Sequence, residues 1–394
     1  MKATENRNQN PFASFWMGGY ECTDQLNIHG DRVDLLQTTG HLQRTAEDYK
    51  KLRPFGIKTV REGIRWSRVE PTPYQYDWTA VQHLIESGKA CGIQQVWDIC
   101  HFGFPDDLSP LHPHFTKRFA ALCGAFVKFY RTVVPNEALI VTPINEVSFL
   151  SWLGGETGGT APYAHRMGWE IKYRLMRAYI EGINAMREVD ASVRILTTEP
   201  LVNIVPPLNA TPQQIEEAAV HHQFQYQALD MLSGRMCPEL GGTPEHLDMV
   251  GLNYYYNNQW VLGYEKFLPW VNEPFDARWK PLSELLAQAY ERYQRPLVIS
   301  ETSHSGEDRP LWIRSIADEV GIALQNGLPF WGICLYPIID RPDWDALSYW
   351  HHSGLWDAQF TDENLPEYVL HELYAEALLQ AQAMVAKMRR SYRL

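Results

Sequence analysis

Two glutamates, Glu146 and Glu301, stand at the ends of strand-like runs. Glu146 follows the apolar run 138–144 directly after Asn145, and Glu301 ends the run 296–301. A carboxylate at the end of a buried strand is seldom needed for folding, so both side chains are candidates for chemistry. Two carboxylates that face each other across a closed cleft push their pKa values apart, which lets one stay protonated while the other is ionised.

Glycoside hydrolysis requires such a pair. One carboxylic acid protonates the leaving oxygen, and the other carboxylate attacks the anomeric carbon or activates water. Arg61 and the hydroxyl of Tyr255 are predicted to keep Glu301 ionised and oriented. Asn145 is predicted to donate a hydrogen bond to the 2-hydroxyl of a sugar.

The elements that must position these residues alternate between strands and helices. Strand-like runs cover 15–20, 58–65, 94–101, 138–144, 193–198, 247–255, 296–301 and 330–336. Helical patterns cover 45–53, 80–91, 115–132, 169–189, 213–232, 282–293, 311–325 and 367–387. Eight alternating pairs predict the α/β class and, within it, a single (β/α)8 TIM barrel over residues 1–394.

In such a barrel the chemistry lies at the C-terminal ends of the strands. The residues that end the eight runs, or closely follow them, are polar or aromatic rather than apolar. They include Glu21, His101, Asn145, Glu146, Glu199, Tyr255, Glu301, Asp343 and Trp344, and Arg61 lies within the second run. The sequence therefore predicts one cleft lined by acids, an amide, a histidine and aromatic rings.

Seven short motifs in this order resemble glycoside hydrolase family 1, or a close relative in the same clan of (β/α)8 retaining glycosidases. They are VREGIRWSR at 60–68, HFGFP at 101–105, TPINE at 142–146, GGETGGTAP at 154–162, GLNYY at 251–255, ISET at 299–302 and IIDRPDW at 338–344. Each motif is short, but together they follow the family's order through most of the chain.

The resemblance implies that Glu146 is the acid/base and Glu301 the nucleophile of a double displacement at a β-linked glycoside. Arg61 and Tyr255 would then orient Glu301. The implied enzyme is a β-glucosidase-like glycosidase that acts on a small carbohydrate. It needs no metal and no organic cofactor.

The resemblance also implies a set of sugar-binding residues. Asn145 and His101 would bind hydroxyls, and Trp344 would form a wall of the sugar site. The chain departs from the family's usual residues at Glu21, Tyr336 and Asp343, positions predicted to contact the non-reacting hydroxyls. The sugar, the aglycone and the substrate chain length are therefore left open.

Composition limits the partners. The formal net charge is −12 and no basic stripe exists, which argues against nucleic acid and anionic membranes. No apolar run is long enough for a membrane span. The polar N-terminus lacks the apolar stretch of a signal peptide, and the 6 cysteines form no CxxC pair. These features predict a cytoplasmic protein, whereas the oligomeric state is left open.

Three other interpretations remain possible. A sugar-binding barrel without turnover would have no need to keep two facing glutamates. A transglycosidase differs only in whether water or a sugar hydroxyl resolves the covalent intermediate. A metal-dependent hydrolase would need clustered ligands at strand ends, where His101 stands alone, and adjacent histidines such as His351 and His352 point apart on regular elements.

Overall fold

A computed structural model describes residues 9–264, 266–271, 276–360 and 365–392. Its main sheet is parallel, with strand order β5-β4-β3-β2-β1-β11-β10-β8-β6. These strands are β1 Trp16–Gly19, β2 Thr59–Gly63, β3 Gln94–Cys100, β4 Ile140–Ile144, β5 Arg194–Ile195, β6 Glu199–Pro200, β8 Val250–Asn253, β10 Leu297–Thr302 and β11 Phe330–Leu335. Two small pairs lie outside this sheet, namely β7 Asn203–Val205 with β9 Gln259–Val261, and β12 Trp356–Gln359 with β13 Glu367–Leu370.

The sheet closes on itself because β5 and β6 are the two ends of one extended run. The amide of Arg194 bonds to the carbonyl of Leu139 on the β4 side, 2.9 Å away. Thr197 bonds across to the carbonyl of Met249 at 3.1 Å, on the β8 side. The fifth predicted strand is therefore present as two short pieces, and the predicted eight-stranded α/β barrel is confirmed.

Helices surround the barrel. They are α1 Leu35–Thr38, α2 His41–Lys51, α3 Trp66–Val69, α4 Thr79–Cys91, α5 Phe115–Val133, α6 Val147–Gly155, α7 Gly168–Val189, α8 Pro212–Gln223, α9 Gln227–Leu232, α10 Leu282–Tyr293, α11 Arg309–Gln325 and α12 Glu372–Tyr392. Short 3₁₀ helices cover Arg53–Phe55, Phe224–Tyr226, Pro238–Leu240 and Gly306–Asp308. Gly92 ends α4 with a φ of 69°, which lets the chain turn directly into β3. Among the described residues, no helix has the length and apolarity needed to cross a membrane.

Two predicted helices differ from the structure. The predicted helix 213–232 is broken into α8, a 3₁₀ turn and α9. The start of the predicted helix 367–387 is wrong, because residues 367–370 form β13 and pair antiparallel with β12. Tyr368 and Val369 favour a strand, and the pairing with β12 supplies the hydrogen bonds that a helix would otherwise provide.

The interior of the barrel is filled beneath the site. Its buried cluster consists of Met17, Val96, Ile140, Leu196, Met249, Val298, Cys334 and Tyr336. A much larger apolar layer packs between the strands and the surrounding helices. The packed barrel centre provides a rigid floor, so the polar side chains above it are held at fixed positions.

A buried ion-pair cluster joins α2 to the outer face of β2. His41 Nδ1 lies 2.8 Å from Asp48 Oδ2, and His41 Nε2 lies 2.9 Å from Glu62 Oε1. Tyr49 donates to the same Glu62 oxygen at 2.7 Å, and Tyr20 stacks on the imidazole with ring centroids 3.6 Å apart. Burial alone would lower the pKa of His41, but the carboxylates of Glu62 and Asp48 outweigh it and raise the pKa to about 9.

This cluster predicts that stability falls in alkaline solution. Because the folded pKa of His41 lies above its ordinary value of 6.5, its contribution is complete below about pH 6.5 and is lost as the pH rises through about 9. The shift corresponds to about 3 kcal/mol of folding free energy. Urea unfolding midpoints at pH 6.5, 8 and 9.5 measure this loss. His41→Gln should be less stable at pH 6.5 and should decline less with pH. The exposed His83→Gln is the matched control, and an equal decline in wild type and His41→Gln would contradict the prediction.

Candidate active site

Glu146 stands between a strand and a helix. It follows β4 as the N-cap of α6, with φ 44° and ψ 62° in the left-handed region. A non-glycine residue there costs about 1 kcal/mol or more, and such outliers concentrate at functional sites. The turn lets the helix start immediately after the strand and leaves the half-buried side chain of Glu146 at the mouth of the barrel.

Glu301 is held from two sides. Arg61 Nη1 donates to Glu301 Oε1 at 2.8 Å, and the Tyr255 hydroxyl donates to Oε2 at 2.8 Å. The side chain of Glu301 is buried, with 4% exposed. Charge-assisted hydrogen bonds of this kind fix the orientation of a carboxylate and stabilise its ionised form. The structure therefore brings Arg61 and Tyr255 together at the carboxylate of Glu301.

Arg61 is the hub of the site. Its side chain is 1% exposed, and its Nη2 donates to Asp98 Oδ2 at 2.5 Å and to Asn145 Oδ1 at 3.1 Å. Its Nη1 also donates to the carbonyl of Ser300 at 2.9 Å. One guanidinium thus joins β2, β3, β4 and β10 in a single network, which fixes Glu301 and Asn145 relative to each other.

Asn253 links the two glutamates. It lies on β8 and pairs in register with Glu301 on β10. Its Nδ2 donates to Glu146 Oε1 at 2.9 Å, and its Oδ1 accepts from Ser300 Oγ at 2.6 Å. Burial, followed by the charges of Glu301 and then Glu199, raises the pKa of Glu146 well above its usual value, although Asn253 and Arg61 act in the opposite direction. This environment favours the protonated form of Glu146.

His101 contacts the same network from β3. Its Nδ1 lies 2.9 Å from Asp98 Oδ2, which fixes the ring orientation. Its Nε2 lies 3.4 Å from Asn145 Nδ2 and 3.4 Å from Glu21 Oε1. Burial would lower the pKa of His101, but the hydrogen bond to Asp98 and the charge of Glu21 raise it overall.

Glu21 and Tyr336 complete this wall. Glu21 Oε1 accepts from the backbone N–H and the hydroxyl of Thr23, at 3.1 and 2.7 Å. Tyr336 stacks on His101 with ring centroids 5.7 Å apart, and its ring lies 4.9 Å from the guanidinium carbon of Arg61. Both predicted residues are buried and adjoin the Arg61 network.

Trp344 lies at the aromatic side of the site. Its ring centroid is 5.5 Å from Phe102 and 6.1 Å from Phe149, and the guanidinium of Arg341 lies over its ring at 5.2 Å.

The carboxylate of Asp343 is engaged within its own loop. Its Oδ1 accepts from the backbone N–H groups of Asp345 and Ala346 at 2.9 and 3.0 Å, and its Oδ2 lies 3.2 Å from His351 Nε2. These contacts fix the loop that carries Trp344.

Two residues of the network were not given roles by the sequence. Asp98 is a carboxylate inside the buried run VWDIC, and a charge in such a run is the signal that identifies it. Asn253 stands at a predicted strand end, where its type alone does not show that it bonds to Glu146. Glu199, another residue at a predicted strand end, contacts the start of α6.

Two clusters among the described residues bring possible metal ligands together. They are Cys22, Asp98 and His101, which are all buried, and Asp340, His352 and Asp357, of which Asp340 is buried and His352 is exposed. In each cluster an arginine already contacts a carboxylate, since Arg61 lies 2.5 Å from Asp98 and Arg309 lies 2.7 Å from Asp357. A dication would be repelled by these guanidinium groups, so neither cluster is favourable for one.

Solved structures share this fold closely. A β-glucosidase from Thermotoga maritima, in complex with glucoimidazole, has 15% identity and a TM-score of 0.72, with 96% of this chain and 99% of that chain covered. The AHE enzyme from Alicyclobacillus herbarius has 17% identity and a TM-score of 0.74, with 94% and 99% covered. At such identities the likeness establishes the barrel fold alone.

The barrel and its family relationship define a glycosidase. The sequence profile of glycosyl hydrolase family 1 matches residues 22–235, more than half of the chain, and the protein belongs to this family. Arg61, Asn145 and Glu146 lie inside the matched segment, whereas Tyr255 and Glu301 lie beyond it. The family match does not include Glu301, so the roles of the two glutamates are inferred from their contacts in the structure.

Proposed function

We propose that this glycosidase cleaves a small β-linked glycoside with retention of configuration, with Glu146 as acid/base and Glu301 as nucleophile. The observation that supports this assignment is the contrast between the two carboxyl groups. Glu301 receives hydrogen bonds from Arg61 and Tyr255, which stabilise an anion. Burial and two neighbouring carboxylates raise the pKa of Glu146, which favours a proton donor.

The proposed reaction has two steps. An oxygen of Glu301 bonds to the anomeric carbon as the glycosidic bond breaks, and Glu146 gives its proton to the leaving oxygen. Glu146 then removes a proton from water, whose oxygen attacks the anomeric carbon and releases the carboxylate of Glu301. Two inversions at one carbon give net retention.

The remaining residues would bind the sugar. Asn145 lies beside both Arg61 and His101 and is proposed to meet the 2-hydroxyl. His101, Glu21 and Tyr336 form the buried wall proposed to bind further hydroxyls. Trp344 offers an aromatic face against which the CH groups of a pyranose can pack. The Asp343 carboxylate is proposed to act indirectly by fixing the loop of Trp344.

A panel of 4-nitrophenyl β-glycosides tests this function, with gluco, galacto, manno, fuco, xylo and glucurono sugars and the matching α-series. We expect turnover of at least one β-glycoside, and proton NMR of the fresh product should show the β-hemiacetal first. Initial release of the α-hemiacetal would contradict retention. Folded protein that turns over no glycoside would instead indicate a sugar-binding barrel. Glu301→Gln, purified identically, controls for contaminating activity.

A further inference from the structure

Glu199 contacts the two residues that follow the proposed acid/base. It is on β6, with 4% of the residue exposed. Its Oε1 accepts the backbone N–H of Val147 at 2.7 Å, and its Oε2 accepts that of Ser148 at 3.1 Å. These are the first two N–H groups of α6, the nine-residue helix whose N-cap is Glu146. Glu199 therefore occupies two of the donors that a helix start leaves unpaired.

The position of Glu146 at a helix N-terminus conflicts with the protonated state that an acid catalyst needs. The N-terminus of a helix carries a partial positive charge that favours a nearby anion. Glu146 is the N-cap of α6, so the free helix end would favour its ionised form and lower its pKa. An acid catalyst needs the opposite. The carboxylate of Glu199 bonds to the N–H groups that generate the positive end and adds a full negative charge.

The charge of Glu199 acts on Glu146. Glu199 contributes to the raised pKa of Glu146, after burial and Glu301. Burial raises the pKa of Glu199 above its usual value overall, although its hydrogen bonds to Ser148 and the charge of Lys172 act in the opposite direction.

Other charged or titratable groups also act on this pair. The charge of Arg61 on β2 lowers the pKa of Glu146. The charge of Glu146 raises the pKa of the Tyr255 hydroxyl, and the charge of Glu199 raises the pKa of Tyr179 on α7. All three are unchanged in the variants below, so differences between the variants report on the start of α6.

We propose that Glu199 is a positioning residue that anchors the start of α6 and neutralises its positive end, so that Glu146 remains protonated for the first step. This inference rests on the proposed role of Glu146. It adds a separate claim, namely that a side chain without contact to the substrate sets the pH range in which the acid functions.

Glu199→Gln tests the proposal because it removes the charge and keeps the size of the side chain. We expect the basic limb of the kcat/KM profile against pH to shift to lower pH by about half to one unit, which is the size of helix-end charge effects. Glu199→Asp retains the charge and should keep the limb near its wild-type position. Glu156→Gln removes an exposed carboxylate at the other end of α6 and should leave the profile unchanged.

A second variant keeps the proposal testable if Glu199→Gln does not fold. Ser148→Asp adds a negative charge at the same helix turn and should move the basic limb to higher pH. A purely structural role for Glu199 predicts a lower kcat with an unmoved limb, and that result in Glu199→Gln, or no shift in Ser148→Asp, would overturn the proposal. If the proposed function itself is wrong, Glu146→Gln will retain the basic limb, which separates the two failures.

Discussion

Glu301→Gln is expected to lose kcat by about four orders of magnitude or more on an aryl β-glycoside. The amide cannot form the covalent bond to the anomeric carbon, and Arg61 loses its anionic partner on β10. Steady-state kinetics with a 2,4-dinitrophenyl glycoside measure the loss. This leaving group departs without protonation, so the first step depends on attack by the nucleophile and not on the acid. Glu307→Gln, an exposed glutamate in the segment that follows the same strand, should retain wild-type activity.

A shortened variant checks the same role by its product. In Glu301→Ala the space of the missing carboxylate is open to a small anion. Added azide is expected to restore turnover and to give the α-glycosyl azide, because azide attacks from the face that Glu301 occupied. A β-azide, or activity of Glu301→Gln within about tenfold of wild type, would show that Glu301 is not the nucleophile.

Glu146→Gln is expected to show a loss that depends on the leaving group. Alkyl glycosides need a proton on the departing oxygen, so kcat/KM for them should fall by about 10³-fold or more. Glycosides of 2,4-dinitrophenol leave without protonation and should show a much smaller fall in the first step. The basic limb of the pH profile should disappear, because the group with the raised pKa is gone.

The controls for Glu146→Gln use the same helix. Glu156→Gln changes a glutamate at the far end of α6 and should show no dependence on the leaving group. An equal loss of rate for good and poor leaving groups in Glu146→Gln would contradict the acid role, because a structural defect slows all substrates alike.

The sequence was sufficient to predict the barrel and which residues of the candidate site lie near one another, for one physical reason. Its strands are short apolar runs, and the C-terminal ends of parallel strands meet at one end of a barrel. Polar residues at those ends are thereby brought together even when they are far apart in sequence. This places Arg61, Glu146 and Glu301 near one another, together with Tyr255, and the described contacts agree.

The sequence did not predict which side chains of the site form hydrogen bonds or ion pairs with each other. Arg61 has carboxylate partners on two different strands, and which oxygen meets which nitrogen depends on register and on rotamers. Asn253 contacts Glu146 because β8 lies in the barrel between β6 and β10. Asp343 was predicted to contact a sugar hydroxyl, and its residue type did not show that backbone N–H groups only two and three residues away donate to its Oδ1.

Local patterns also failed where distant pairing decided the structure. Residues 367–370 continue a helical pattern into α12, but β12 lies alongside and its backbone provides a better set of partners. The contacts of Glu199 also could not be predicted from local sequence, because its carboxylate accepts hydrogen bonds from a helix that begins 52 residues earlier. Glu-Pro at a strand end gives no sign of them.

Covalent trapping tests the central claim most directly. A 2-deoxy-2-fluoro β-glycoside of the preferred sugar, with 2,4-dinitrophenolate as leaving group, should inactivate the enzyme. The fluorine slows both formation and hydrolysis of the intermediate, and the good leaving group restores the rate of formation alone, so the intermediate accumulates. Intact-mass measurement should then show one added fluoroglycosyl group, and peptide mapping should place its ester on Glu301. An ester on Glu146 or on another residue would contradict the assignment, as would unlabelled protein that releases the α-product.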